Sequence, residues 1–154
     1  MPVTTPVDVP ADAVLLHERF GEPRPGDLVD AYAVRLTDAH PRDPHAWAKA
    51  VFFDPPPWVR VALGVRNALV GLIGVERGDR SSFATESATD REVLLGTDAG
   101  HLDFRASVLV DTDRVVLSTH ARPVRTRGTI YLLPVRALHP LVVRAMLSRA
   151  ATRL

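Results

Sequence analysis

The fold is decided by two predicted strands that a tight turn joins, in residues 101–122, HLDFRASVLVDTDRVVLSTHAR. From Leu102 to Val110 every second residue is apolar, and most of the residues between them are polar. This period of two predicts a strand with one buried face and one polar face. A two-residue turn at Thr112 and Asp113 then sets the register of the hairpin. The predicted register pairs Val110 with Val115, Val108 with Leu117, Phe104 with Ala121, Arg105 with His120 and Asp103 with Arg122.

Further strands with the same period are predicted upstream of this hairpin. Phe83–Ser87 and Arg91–Gly96 have the alternation of consecutive antiparallel strands. We expect a loop at Thr97–Gly100, which would place Glu92 beside Arg105. Both hairpins then pair apolar with apolar residues and opposite charges with each other, which favours a sheet.

Two helices follow a strand predicted at Asp27–Leu36. The first helix, Pro44–Phe53, has Asp43 as its N-cap and a proline at its first position. The second helix carries an apolar stripe at helical spacing, and we expect this stripe to pack in the core. The stripe consists of Trp58, Val61, Ala62, Val65, Leu69, Leu72 and Ile73.

A long helix is predicted at the end of the chain, from Gly128 to Arg153. Pro134 and Pro140 each remove a backbone donor, so we expect a kink or a later start. His139 is interpreted as a structural histidine. The predicted inward face consists of Tyr131, Val135, Leu138, Val142, Ala145 and Met146, and the polar side of Arg136, Pro140, Arg144 and Ser148.

Residues 1–26 are rich in proline and turn residues, and we expect them to form an N-terminal arm that lies across the domain. Asp12 is predicted to cap a brief helix within residues 11–20. Residues 27–154 are predicted to form a single domain, because an apolar fraction of 46% provides enough side chains for one core.

Composition excludes several classes of site. Without cysteine the chain has no disulfide, zinc–thiolate site, iron–sulfur cluster or cysteine nucleophile. It has no Gly-rich phosphate loop, dinucleotide fingerprint or nucleophile elbow, so we expect no cofactor. Residues 1–10 lack the basic segment and the apolar run of a signal peptide, which predicts a cytoplasmic protein. Lys49 is the only lysine beside many arginines, which suggests a GC-rich bacterial source.

Charge is distributed unevenly along the chain. The net charge is +1, but no acidic residue follows Asp113. This asymmetry predicts either an anionic partner or packing of the basic C-terminal part against the acidic part of the same domain. We favour the second interpretation, and the scarcity of aromatic residues there argues against nucleic acid. The arginines of this part are Arg114, Arg122, Arg125, Arg127, Arg136, Arg144, Arg149 and Arg153.

Several stretches of the chain resemble a known family of bacterial domains of unknown function. They are residues 43–47, 58–67, 101–105 and 128–136 together with His139, and the similarity extends over about residues 28–150. The order of elements is similar to the helix-grip fold of the START-like and polyketide-cyclase-like (SRPBCC) superfamily, in which a curved antiparallel sheet wraps a long C-terminal helix. The resemblance implies an α+β fold with an internal cavity for an apolar ligand. Some members of the superfamily are cyclases or hydratases, and similar domains occur fused to nicotinamide-dependent reductase-like domains.

The polar face of the predicted sheet is the first place to look for chemistry. A histidine beside a carboxylate there could act as a general acid or base, and the arginines could hold an anion. The alternative that we favour is a charged ladder exposed to solvent on the outside of the sheet. A metal is not expected, because fixed positive charge opposes a cation. The face carries His101, Asp103, Arg105, His120 and Arg122, with Glu86 and Glu92 nearby.

Three functions follow as hypotheses. The first is the binding of a small apolar or amphipathic ligand between the sheet and the last helix. The second is a cyclase, dehydratase or isomerase that uses His101 or His120 with Asp103. The third is an interaction module that docks on a reductase or an acidic partner through the basic C-terminal part, and no membrane span is expected. The predicted ligand-binding residues are Trp58, Phe104, Arg105, Val108, Leu117, Arg122 and Tyr131.

Overall fold

A six-stranded antiparallel sheet and four helices make up residues 2–72 and 84–154, which the computed structural model describes. The strands lie in the order β1-β2-β6-β5-β4-β3, and the curved sheet packs against the last helix. The predicted α+β helix-grip class is therefore confirmed. The elements are β1 Thr4–Val7, α1 Val14–Phe20, β2 Leu28–Arg35, α2 Pro44–Phe53, α3 Pro57–Leu72, β3 Thr85–Ala88, β4 Glu92–Ala99, β5 Leu102–Val110, β6 Arg114–Pro123 and α4 Arg125–Arg153.

The hairpin of β5 and β6 has the predicted register at all five pairs, from Asp103 beside Arg122 to Val110 beside Val115. The backbone N–H of Asp111 donates to the carbonyl of Arg114 at 2.8 Å and closes the turn. A two-residue turn fixes the register of the two strands. The alternation along the sequence then determines on which face of the sheet each side chain lies.

The predicted register between β4 and β5 is wrong. Strand β4 continues to Ala99, which pairs with Leu102, so the loop is shorter than expected. Glu92 therefore lies beside Leu109 instead of Arg105, a shift of four residues. An even shift keeps every side chain on its predicted face. Gly96 lies where β5 approaches most closely, because its φ is +139° and a Cβ there would meet the carbonyl oxygen of Phe104.

The apolar face of the sheet packs against α2 and the C-terminal half of α4. Helix α2 has the predicted bounds, and the carboxylate of Asp43 accepts from the backbone N–H of His45 at 3.0 Å as its N-cap. The Trp47 indole lies fully buried at the centre and donates to the carbonyl of Pro41 at 2.9 Å. Its neighbours in this core include Tyr32, Val34, Val51, Val108, Leu117, Val143, Met146 and Leu147.

Helix α3 does not pack as its sequence predicts. Val59 is buried, but Trp58, Val61 and Val65 of the predicted core stripe are exposed. These three side chains point to solvent, and the helical part of the main core comes mostly from α2 and α4. Ile73 of the predicted stripe and Phe83 of the predicted first meander strand lie outside the described residues.

Helix α4 begins at Arg125 and continues through both prolines. Its inward face differs from the predicted one, since Leu138 is exposed while Leu132 and Ser148 are buried. The first half of the helix carries apolar residues on more than one side, so its pattern does not specify which side meets the sheet. Gly128 allows the helix to start against the β4–β5 turn, because a Cβ there would meet the carbonyl oxygen of His101.

Truncation of α4 side chains tests which side of the helix forms the core. Leu147 is fully buried and Leu141 is largely exposed on the same helix. We expect Leu147→Ala to lower the free energy of unfolding by about 2–5 kcal/mol, and the matched Leu141→Ala to change it by less than about 0.5 kcal/mol. Urea unfolding followed by circular dichroism measures both, and equal losses would contradict the orientation of α4.

Candidate functional site

The polar face of the sheet is covered, not exposed. Glu92, Arg105 and His120 are each at most 5% exposed. The expectation of a charged ladder in solvent is therefore wrong. Helix α1 lies over this face and packs Leu16 and Phe20 against Leu94. Alternation along a strand shows that one face is polar, but it does not show what another part of the chain places over it.

Glu92 caps the N-terminus of α1 from the neighbouring sheet. The N-cap residue Ala13 has no side-chain acceptor. Instead, the Glu92 carboxylate accepts from the backbone N–H groups of Leu15 at 2.9 Å and Leu16 at 3.3 Å. It also accepts from the hydroxyl of Ser107 at 2.7 Å. A carboxylate at this end of a helix satisfies donors that would otherwise be unpaired and interacts favourably with the helix dipole.

A second cluster joins two arginines to three carboxylates. Arg105, which is 4% exposed, donates to Glu86 at 3.0 Å, and it also contacts Asp98 and Asp103. Arg19 of α1 donates to Asp103 at 2.9 Å and to Asp98 at 3.0 Å. Hydrogen bonding from Arg105 lowers the pKa of Glu86, whereas burial raises the pKa of Asp103. The cluster fastens α1 to the sheet through charge-assisted hydrogen bonds.

A third cluster is centred on the buried carboxylate of Asp27. The Asp27 carboxylate lies 2.7 Å from Nε2 of His120 and accepts from Arg122 at 2.9 Å. Burial alone would raise the pKa of Asp27, but hydrogen bonds from Arg122, the Arg24 backbone and His120 leave that pKa below its usual range. Burial also lowers the pKa of His120, against the effect of Asp27. The His120 ring stacks on Phe20 of α1 with centroids 3.9 Å apart.

A small pocket lies beside His120 under the N-terminal segment. Its volume is about 60 Å³. Ligand sites for small organic molecules occupy about 300–1,000 Å³, so this pocket has room only for water or an ion-sized group. We therefore interpret the polar face as a structural junction between α1 and the sheet. The pocket is lined by Val9, Leu16, His17, Gly21, Pro23, Val29 and His120.

The opposite face of the sheet holds two polar pairs near the N-terminal half of α4. His139 Nε2 lies 3.2 Å from Asp30 Oδ1. Arg66 of α3 donates through Nε to the Tyr131 hydroxyl at 2.9 Å. Both pairs border a largely apolar cluster in which Leu132 is buried while Tyr131 remains partly accessible. The arrangement combines an apolar surface with a few polar groups, which is the usual composition of a ligand site.

The predicted site residues lie in three separate places. Phe104, Val108 and Leu117 face α4, whereas Arg105 and Arg122 lie on the face that α1 covers. Tyr131 lies on α4 and meets the ring of His101 edge-on with centroids 4.9 Å apart, and Trp58 is exposed on α3.

The predicted catalytic group is likewise distributed over different contacts. Asp103 pairs with Arg19 and Arg105, and His120 pairs with Asp27. His101 lies at the β4–β5 turn beside Tyr131. The contacts of Asp103 and His120 hold polar groups together on the covered face of the sheet, whereas His101 lies against α4.

Several residues of these clusters were not singled out by sequence reasoning. Asp30 and Asp27 were interpreted only as strand residues, and Arg19 as part of the arm. The charge of Arg19 in a short amphipathic helix was the one available signal for a contact with acidic strand residues. The partners of Asp27 and Asp30 are about a hundred positions distant in the chain, so no local pattern predicts them.

The basic C-terminal part finds many of its partners within the chain. Arg149 and Arg153 contact Asp54, and Arg122 contacts Asp27. Arg136 donates to the carbonyls of residues 26 and 27, and Arg144 to Thr4. These contacts support the interpretation that the basic part packs against the rest of the same domain.

Among the described residues, α4 is the one helix whose length and composition would allow it to cross a membrane. Its inner side contributes Leu132, Met146 and Leu147 to the core of the chain. By itself, the apolar composition of α4 is weak support for a span.

Removal of the charge on Glu92 tests its role as a remote helix cap. We expect Glu92→Gln to lower the free energy of unfolding by about 1–3 kcal/mol, because the new amide would place a donor against backbone donors. The matched control is Glu18→Gln, on the exposed side of α1. Amide exchange at Leu15 and Leu16 should accelerate only in the first variant. An unchanged exchange rate in Glu92→Gln would contradict the cap.

The pKa shifts of His120 and Asp27 predict that acid destabilises the chain. The unfolded chain takes up a proton at a histidine near pH ~6.5 while folded His120 does not, so stability falls as the pH drops below that value. Asp27, whose pKa is lowered by folding, adds a further loss below about pH 4.

Urea unfolding at about pH 7.5 and about pH 5.5 measures the histidine part. We expect His120→Gln to reduce the difference between the two values, and the matched His45→Gln on the exposed side of α2 to leave it unchanged. Nuclear magnetic resonance titration gives the pKa of His120 directly, and a value above that of an exposed histidine would contradict the direction.

Comparison with known proteins identifies a family but no characterised relative. The model of the DUF2867 family, described as a protein of unknown function, matches residues 24–146. No curated protein and no solved structure matches the chain. The matched range includes β2 to β6 and most of α4, and so contains the His139–Asp30 and His120–Asp27 pairs. The chain belongs to the DUF2867 family of proteins of unknown function.

Proposed function

We propose that this chain binds a small amphipathic molecule between the sheet and the N-terminal half of α4, in the manner of the START-like superfamily. The observation that carries this proposal is a difference in packing along α4. Val143, Leu147 and Ala150 of the C-terminal half are buried against the sheet and α2. Tyr131, Val135 and His139, which face the sheet from the N-terminal half, are only partly buried. The C-terminal half of α4 is thus more deeply buried than these three residues of its N-terminal half, which supports an accessible site at that end.

The partly accessible end offers an apolar surface for the body of a ligand. Phe104 of β5, Leu28 of β2 and Val135 of α4 contact this cluster around the buried Leu132. Burial of apolar area contributes about 25 cal/mol per Å², so a ligand of modest size would gain most of its affinity here. Of the residues predicted from sequence, Phe104 and Tyr131 lie at this end.

The same end offers polar groups for the head of a ligand. The Arg66 guanidinium lies against Tyr131, with its central carbon 5.0 Å from the ring centroid. A guanidinium can bind a carboxylate or sulfonate in bidentate geometry. The His139–Asp30 pair can exchange hydrogen bonds with a hydroxyl group. We therefore expect a molecule with an apolar body and an anionic or hydroxyl head.

Fluorescence of 1-anilinonaphthalene-8-sulfonate tests this proposal, since this probe has an apolar body and a sulfonate head. We expect the folded protein to bind one equivalent with enhanced emission. Val135→Trp should fill the accessible end and weaken binding by about tenfold or more, while thermal unfolding shows that the variant remains folded.

A matched control separates this site from the outer surface of α4. Leu133→Ser/Leu141→Ser changes exposed residues of the same helix and should leave the one-equivalent binding intact. Native mass spectrometry of the probe complex gives the stoichiometry independently. Binding that disappears in the outer-face variant but persists in Val135→Trp would overturn the proposal.

A further inference from the structure

The outer side of α4 carries a continuous apolar stripe that nothing in the described part of the chain covers. The exposed fractions are 54% for Ile130, 65% for Leu133, 57% for Leu138 and 61% for Leu141. These residues recur at helical spacing, on the side of α4 opposite Leu132 and Val143. The outer stripe consists of Ile130, Leu133, Pro134, Ala137, Leu138 and Leu141.

The charged side chains that α4 itself carries are all positive. No acidic residue occurs in α4 or anywhere after Asp113. Arg125 and Arg127 are exposed at the end of the helix where the stripe begins. Helix α3, which Arg66 joins to α4, also lacks acidic residues and exposes Trp58. Apolar side chains flanked by arginines are the composition of helices that lie on anionic membranes.

We propose that the outer stripe docks on an anionic phospholipid surface. Leucine and isoleucine side chains would enter the boundary between headgroups and acyl chains, and Arg125 and Arg127 would contact lipid phosphates. Helix α4 then lies in the plane of the surface, because its inner side is held against the sheet by buried residues such as Leu132 and Leu147. The N-terminal half of α4 then carries apolar residues on two sides because it meets two apolar environments, the protein core within and the lipid without.

A second copy of the chain is a less favourable occupant. In a two-fold symmetric dimer the same patch faces itself. The arginines at the end of the stripe would lie near their own copies in a parallel arrangement and over the far end of the partner's stripe in an antiparallel one, and in neither does α4 offer a carboxylate to pair with them. An anionic surface, in contrast, is complementary to the same charges.

Co-sedimentation with vesicles tests the proposal on the full chain. We expect the protein to bind vesicles of phosphatidylcholine with phosphatidylglycerol much more strongly than vesicles of phosphatidylcholine alone. Leu133→Ser/Leu141→Ser should weaken partitioning by about tenfold or more. Val14→Ser/Phe53→Ser removes two exposed apolar side chains elsewhere and should bind as the wild type does.

Charge variants separate the electrostatic part. Arg125→Gln/Arg127→Gln should weaken binding by roughly fivefold for each arginine, and Arg35→Gln/Arg114→Gln on the sheet should have little effect. Absence of wild-type binding to anionic vesicles would overturn the proposal. A concentration-dependent dimer without vesicle binding, abolished by Leu133→Ser/Leu141→Ser in sedimentation velocity, would assign the stripe to a second copy and would also overturn it.

Discussion

The alternation along β5 and β6 imposes a requirement on every other part of this chain. It places apolar side chains on one face of the sheet and Arg105, Asp103 and His120 on the other. Both faces are covered, and burial of charged groups is unfavourable unless each finds a partner. The N-terminal residues meet that requirement. Arg19 and Asp27 supply opposite charges, and the N-terminus of α1 supplies backbone donors for Glu92.

On the apolar face of the sheet, the two halves of α4 are packed differently. Its C-terminal half shares a filled core with α2, and removal of an apolar side chain there leaves a cavity. In its N-terminal half Leu132 is buried, but Tyr131, Val135 and His139 are only partly buried, and the residues that face outward are exposed. The two proposals concern the two sides of this one segment. The inner side has polar pairs and the outer side has none.

The sequence predicts the features that short-range geometry determines, namely the register of strands joined by a tight turn and the ends of a capped helix. The β5–β6 register follows from a turn of two residues, and the bounds of α2 follow from Asp43 as N-cap and Pro44. The β4 register does not follow, because residues 97–100 have turn-like composition yet most of them continue the strand. The exposed side of α4 was predicted wrongly because its N-terminal half carries apolar residues on more than one face. The exposed side of α3 was predicted wrongly because an apolar stripe does not show whether other helices already fill the core. The partners of Glu92, Asp27 and Asp30 are distant in the chain, and local patterns carry no information about them.

The partly buried inner residues and the outer stripe both lie within residues 130–141 of one continuous helix. An amphipathic molecule concentrates at a lipid surface because its apolar part is removed from water there. A protein that binds such a molecule therefore benefits from residence at that surface. Contact of the outer stripe with lipid would hold the inner side of α4 about 10 Å from the bilayer surface, since a helix with its side chains is about 10 Å across. The two proposed roles of α4 are thus physically compatible, and each has its own variants because they use opposite sides of the helix.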